Sequence, residues 1–166
     1  MPDFNNEEIR KIISLGESFN PLPAKSGNDR IDASIRDMKI SWVPFFDKSE
    51  WLFKKSADII GTSLRLALNP YQYSVYKTGG HYTWHRDMFD TMPEEMMPTN
   101  FISCVVQLSD PSEYEGGDLE IKTKEGIETV VKQRGLATPF PCTFLHRVTT
   151  VTSGIRKTLI MWGVKP

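Results

Sequence analysis

The sequence is poor in the residues that staple or anchor small proteins. Its 166 residues include only two cysteines, Cys104 and Cys142, without CxxC spacing, and three histidines. A disulfide framework is therefore not expected, and the pair reads as two reduced thiols. No apolar run is long enough to span a bilayer, and the acidic start, MPDFNNEEIR, lacks the features of a secretory leader. A cytoplasmic protein is the expectation. Charge of one sign is also missing. The formal net charge is −1, which gives no global pull toward nucleic acid or an anionic membrane, so neither is expected as a partner. There is no internal repeat and no low-complexity segment. With 39% hydrophobic and 25% charged residues, the composition is that of a globular domain with one core. The expected division is a helical support region over 1–70 and a β core over 71–166.

Helical periodicity is confined to the first part of the chain. Ile9, Ile12 and Ile13 share a face in residues 7–15, with Asn5 or Asn6 as cap, Glu7 and Glu8 in the first turn and Gly16 as the stop. Residues 49–68 form the clearest helix, with Ser49 as cap and an apolar stripe of Phe53, Ala57, Ile60, Leu64, Ala67 and Leu68. The stripe reads as packing against the outer face of a sheet. Residues 20–34 read as a loop, and Met38, Ile40 and Trp42 alternate like a strand.

From Tyr71 the period changes to two. Short apolar segments follow at 71–75, 101–108, DLEIK, IETVVK, GLATPF, TFLHRV and RKTLIMWGV, with turn residues between them. That spacing predicts an all-β sandwich, barrel or jelly roll. Residues 88–100, with four methionines and two prolines, read as a lid, a substrate loop or a solvated connector.

The chemistry concentrates in YKTGGHYTWHRD, residues 76–87. His85 and Asp87 are two apart, which puts both on one face of an extended strand. An imidazole and a carboxylate so placed are two thirds of the two-histidine, one-carboxylate set that holds non-heme Fe(II) with positions open. The third ligand is then His81 or His146. His146 has the better surroundings, in a strand after a turn, with Arg156 ten residues on. The strand after it is expected to run antiparallel to the His146 strand, setting Arg156 beside the metal region but deeper. An inward guanidinium needs an anion, and a dicarboxylate co-substrate supplies one. Thr158, on the same strand face, adds a hydroxyl donor. Arg86 and Arg147 fall out of phase with the ligands and read as outer partners. Trp84 points away from the ligand face and reads as core packing, and His81 has a structural or substrate-side role.

Three longer patterns surround these residues: Tyr76-x-x-Gly79-x-x-Tyr82-x-x-His85-x-Asp87, then Gly116-Gly117-x-Leu119, then Phe140-Pro141-x-x-x-x-His146-x-Val148 with Gly154-x-Arg156. On them the chain resembles the Fe(II)- and 2-oxoglutarate-dependent oxygenases. Within these it is most similar to the prolyl 4-hydroxylase-like group that includes the bacterial PKHD-type hydroxylases. The resemblance covers Tyr71 to Gly163. It implies a mainly β double-stranded β-helix, a cupin-like jelly roll, with N-terminal supporting helices. It implies His85, Asp87 and His146 as metal ligands and Arg156 as partner of the distal carboxylate of 2-oxoglutarate. Tyr76 matches a tyrosine that hydrogen-bonds the co-substrate near the iron. Gln107 stands where some relatives place a tyrosine that contacts the distal carboxylate, and its amide is a candidate donor to the same co-substrate, while Trp162 is a packed wall of the site. The implied cofactors are Fe(II), 2-oxoglutarate as co-substrate and O2, with ascorbate as a candidate reductant. The implied reaction hydroxylates a C–H bond with release of succinate and CO2. Its implied substrate is a prolyl residue of a peptide or protein, or alternatively a free amino acid or small metabolite.

Three other readings are weaker. A nucleic-acid demethylase of the same superfamily carries a second Arg six residues after the first, where this chain has Trp162. A halogenase needs the coordination position that Asp87 takes. A non-catalytic β-helix binding module would lack a ligand or the Arg, and all four residues are present.

Overall fold

The computed structural model describes residues 1–26, 29–63, 70–87, 93–96 and 99–166. Two helices, α1 (Asn6–Ser18) and α2 (Glu50–Ile60), pack on a β structure whose strand pairs are all antiparallel. The strands are β1 (Leu22–Pro23), β2 (Arg36–Asp37), β3 (Lys39–Val43), β4 (Tyr71–Tyr76), β5 (His81–His85), β6 (Phe101–Gln107) and β7 (Tyr114–Gly116). They continue with β8 (Leu119–Thr123), β9 (Gly126–Thr129), β10 (Ala137–Pro141), β11 (His146–Val148), β12 (Val151–Gly154) and β13 (Arg156–Val164). A six-stranded sheet runs β1-β3-β4-β13-β6-β10, a five-stranded sheet runs β2-β5-β11-β8-β9, and β12 pairs with β7. This is the double-stranded β-helix expected from the sequence.

The helices differ from expectation at their ends. Asn5 makes a reciprocal capping box with Glu8, so α1 starts as the sequence suggests. It does not stop at Gly16. That glycine lies inside the helix because the Tyr73 ring packs there, and an added Cβ would sit 2.2 Å from Tyr73 Cγ. Helix α2 ends at Ile60, where Gly61 takes the left-handed conformation (φ 75°) that suits glycine. The expected stop at Leu68 and the stripe positions Leu64, Ala67 and Leu68 lie outside the described residues. Ser49 makes no side-chain cap. Its hydroxyl instead donates to the Pro44 carbonyl at 2.7 Å. Most of the 88–100 loop also lies outside the described residues.

The larger core lies between the helices and the six-stranded sheet. Ile9, Ile12, Leu52, Phe53 and Ile60 meet Tyr71, Tyr73, Cys104, Val106, Leu159 and Met161. Phe53 stacks on Tyr71 at 4.0 Å and 11°. Lys55 joins the helices by bonding both carboxylate oxygens of Glu8 at 2.7 Å. The two cysteines are free and buried. A smaller core of Val105, Leu119, Ile121 and Phe140 lies between the two sheets.

One topological expectation is corrected. Strand β13 does not pair with the His146 strand. It lies between β4 and β6 in the six-stranded sheet, while β11 lies between β5 and β8 in the other. The stretch between them, expected to be a bare turn, is instead the strand β12, which carries the chain from one sheet to the other. Arg156 therefore enters the cleft from the sheet opposite His146.

Candidate metal centre

Two sheets with alternating side chains make a cleft whose walls come from opposite faces. The five-stranded sheet contributes Tyr82, His85, Leu119, His146 and Val148. The six-stranded sheet contributes Gln72, Tyr76, Val105, Arg156, Thr158, Ile160 and Trp162. Between them lies a cavity of about 50 Å³. Pairing of His146 with His85 in the β11–β5 ladder brings both imidazoles to one spot, and Asp87 follows just beyond the end of β5.

His85, Asp87 and His146 present ligand atoms that all lie within 4.8 Å of one another. Asp87 Oδ1 is 3.5 Å from His85 Nε2 and 3.3 Å from His146 Nε2. The other ring nitrogens are committed. His85 Nδ1–H donates to the Thr83 carbonyl at 2.8 Å, and His146 Nδ1–H to the Phe144 carbonyl at 3.0 Å. A carbonyl can only accept, so each Nδ1 carries the proton and each Nε2 faces its neighbours, as metal-binding histidines require. The second Asp87 oxygen, Oδ2, accepts from the Trp162 indole N–H at 3.1 Å.

Electrostatics favour the ligand-ready forms. Burial pushes the His85 pKa down, the His146 charge adds to this, and the pull of Asp87 opposes it. Burial alone would raise the Asp87 pKa, but His146 and His85 in their protonated forms, by hydrogen bond and charge, hold it well below the carboxylate range.

Across the cleft is a second feature, polar groups buried without partners. Arg156 is 2% and Thr158 1% exposed. Among the described residues, neither Arg156 Nε nor Thr158 Oγ1 has a hydrogen-bond partner. A buried guanidinium without a counterion is costly, so this wall is built for an anion. Tyr76, paired directly with Arg156, has its ring 5.3 Å from the guanidinium. Burial holds its phenol well above the usual value against the pull of Arg156 and Arg36, so it keeps its proton as a donor. Gly117 makes room for Arg156. It sits at φ 59°, and an added Cβ would lie 3.0 Å from Arg156 Cδ. The orphaned donors fit a dicarboxylate, and the three-ligand cluster fits an Fe(II) ion.

Gln107, expected beside the co-substrate, makes hydrogen bonds within the protein here. Its amide nitrogen donates to the Ser109 carbonyl at 3.1 Å and to the Tyr114 hydroxyl at 2.8 Å. The remaining singled-out residues lie outside the cleft. His81 approaches the Gly79 and Ser34 carbonyls at 3.2 and 3.4 Å. Arg86 Nε donates to the Thr143 carbonyl. Arg147 bonds Glu120 at 2.6 Å and lies over Trp84 at 4.8 Å. Trp84 thus packs beneath a surface arginine, because strand alternation turns it away from the cleft.

The packing of Tyr82, which lines the cavity, and of Arg36 behind it was not legible in the sequence. Tyr82 stacks on His85 with centroids 3.4 Å apart. Simple alternation sets Tyr82 opposite to His85, but the β5–β11 register shifts by one residue between the Tyr82–Val148 and His85–His146 pairs. That bulge turns both inward. Arg36, opposite Tyr82 on β2, lies over its ring at 4.5 Å.

A profile of the 2OG-Fe(II) oxygenase superfamily matches residues 71–163. A PKHD-type hydroxylase of Teredinibacter turnerae is 36% identical over 104 residues, covering 62% of this chain and 46% of the relative. Another, from Rippkaea orientalis, is 32% identical over 127 residues, covering 70% and 57%. The chain spans about half the length of the curated relatives it matches. Among solved structures, a Pseudomonas putida prolyl-4-hydroxylase superposes with a TM-score of 0.74 at 16% identity, covering 99% of this chain and 91% of that one. A Trichoplax adhaerens prolyl hydroxylase, solved with a peptide fragment of hypoxia inducible factor, gives 0.73 at 14% identity over 95% and 76%. These structural likenesses carry the fold.

Proposed function

The chain belongs to the 2OG-Fe(II) oxygenase superfamily, and we propose that it is an Fe(II)- and 2-oxoglutarate-dependent dioxygenase that hydroxylates a prolyl group of a peptide or protein. The observation that carries this reading is the pairing of two complementary sets of polar groups across one cleft. On one wall three ligand atoms lie within 4.8 Å. On the other is an arginine, 2% exposed, with an unpartnered Nε. A divalent metal answers the first and a dicarboxylate the second.

The geometry supports the following roles. His85 and His146 would hold the metal through Nε2, each oriented by its Nδ1–H bond to a carbonyl, and Asp87 would complete the set. Asp87 Oδ2 is anchored by Trp162. Arg156 takes the distal carboxylate of 2-oxoglutarate, Thr158 adds its hydroxyl, and Tyr76 donates its phenol to the same molecule. When bound, the iron and 2-oxoglutarate supply the oxidising chemistry that turns O2 into a hydroxylating agent, with succinate and CO2 as products. The protein orients these groups and keeps the cleft dry. The prolyl substrate is supported by the PKHD-type relatives and the prolyl hydroxylase neighbours.

Anaerobic addition of Fe(II) and then 2-oxoglutarate tests the core of the proposal. A visible metal-to-ligand charge-transfer band is expected, followed by succinate release on admitting O2 with proline peptides. A folded protein that gives no band would overturn it in favour of a non-catalytic binding module.

A further inference from the structure

A second guanidinium packs on the Tyr82 wall of the cleft, and the roles above do not use it. Arg36 is paired directly with Tyr82 across the β2–β5 ladder, so its side chain leaves the sheet on the Tyr82 side. Its Cζ lies 4.5 Å over the Tyr82 ring, and that ring is stacked on His85. Only Nη1 is shown with an acceptor, the Lys25 carbonyl at 3.0 Å. Nε and Nη2 are buried and have no partner among the described residues. No described carboxylate forms an ion pair with Arg36.

The charge balance of the loaded cleft sharpens this. Fe(II) and Arg156 are offset by Asp87 and dianionic 2-oxoglutarate. The histidines are neutral when they ligate. The positive charge of half-buried Arg36 is then left over, with two buried N–H groups that have no partner among the described residues. The cation–π contact with Tyr82 favours the charge but satisfies none of the free N–H groups.

We propose that Arg36 binds a carboxylate of the primary substrate, holding it over Tyr82 beside the metal centre. This rests on the oxygenase reading above and narrows its substrate class to molecules with a carboxylate near the oxidised carbon. The carboxylate has two sources, the α-carboxylate of a free imino or amino acid or the C-terminal carboxylate of a peptide.

Matched acid and amide probes test it on the anaerobic Fe(II)–2-oxoglutarate complex, by titration calorimetry. The pairs are acetate and acetamide, L-proline and L-prolinamide, and glycyl-glycyl-proline and its C-terminal amide. The expected result is an acid-over-amide preference on the order of ten- to a hundredfold in at least one pair. Preference in the proline pair identifies a free acid, and preference confined to the tripeptide pair identifies a peptide terminus. Arg36→Gln should abolish the preference while leaving the charge-transfer band and the 2-oxoglutarate requirement unchanged. Arg36→Lys should keep part of the preference, which a purely stacking role would not predict. Equal binding of acid and amide in every pair, absence of binding by every acid, or an undiminished preference in Arg36→Gln would each overturn the proposal. A missing charge-transfer band would instead overturn the oxygenase reading on which it rests.

Discussion

Tyr71, Tyr73, Leu159 and Met161 turn to the helix side of the six-stranded sheet, and Gln72, Tyr76, Arg156 and Thr158 on the same two strands turn to the cleft. All eight are buried, so burial alone does not separate them. The helix side closes on Ile9, Ile12, Leu52, Phe53 and Ile60 in an apolar layer. The cleft side carries an arginine Nε and a threonine hydroxyl with no described partner. One face gains by excluding water, and the other forgoes that gain to keep groups that only a bound anion satisfies. The strands thus separate stability from chemistry by the alternation of their side chains.

The strongest way to break the chemical face is at the metal ligands. His146→Ala is expected to reduce succinate formation to background and to abolish the charge-transfer band, with circular dichroism unchanged. Retained activity would remove His146 from the metal set.

The two faces can then be set against each other on neighbouring strand positions. Arg156→Met removes a buried cation, so the ligand-free protein should unfold no more readily than wild type. Its 2-oxoglutarate requirement should rise by about a hundredfold or more, as expected for losing charge-assisted hydrogen bonds. Leu159→Ala should do the reverse. A cavity beside Leu52 and Phe53 should cost about 2–5 kcal/mol in denaturant unfolding, with the 2-oxoglutarate requirement unchanged. If Arg156→Met destabilised the protein as much as Leu159→Ala, the division between the faces would fail.

A gentler change tests the wall of the metal centre. Trp162→Phe keeps an aromatic ring near Trp42, whose ring centroid lies 6.1 Å away, but deletes the N–H that anchors Asp87 Oδ2. Iron affinity should fall about 10- to 100-fold, measured by competition with a chelator. Unchanged affinity would reduce Trp162 to packing.

Much of this was legible in the sequence because it follows from period. The change from helical spacing to alternation at Tyr71 pointed to a β core, the spacing of His85 and Asp87 marked two residues of the cleft, and the family resemblance implied His146 and Arg156 as the others. Features that depend on a break in period were not legible. The bulge in β5 reverses the parity that separates Tyr82 from His85, and no residue type announces it. The sheet change at β12 turns Arg156 from a neighbour of His146 into its opposite. Gly16 and Ser49 look like helix signals, yet long-range packing and a loop hydrogen bond use them otherwise.

The smallest expected effects come from pH, and they carry opposite signs on the two faces. In the cleft, burial depresses the His85 pKa, and His146 and His85 together hold that of Asp87 below the carboxylate range. For both, the unfolded chain takes up the proton first. Stability of the metal-free protein should therefore fall as pH drops below about 6.5, and again below about 3.9, the ordinary values for His and Asp. On the helix face, burial pushes the Tyr71 phenol and the Cys104 thiol up to about 12. There the unfolded chain loses the proton first, so stability is intact at neutral pH and is lost as pH rises from about 8.5 toward 12. Denaturant midpoints measured across this range should form a dome. His85→Leu should flatten the acid limb near pH 6, because the group that discriminates against the proton is gone. Burial also pushes the Cys142 thiol up, to about 11, so Cys104→Ala should make the alkaline limb shallower, and only Cys104→Ala with Cys142→Ala should move its start to the phenol range near pH 10. Acid sensitivity that survives His85→Leu intact would place its origin outside the cleft.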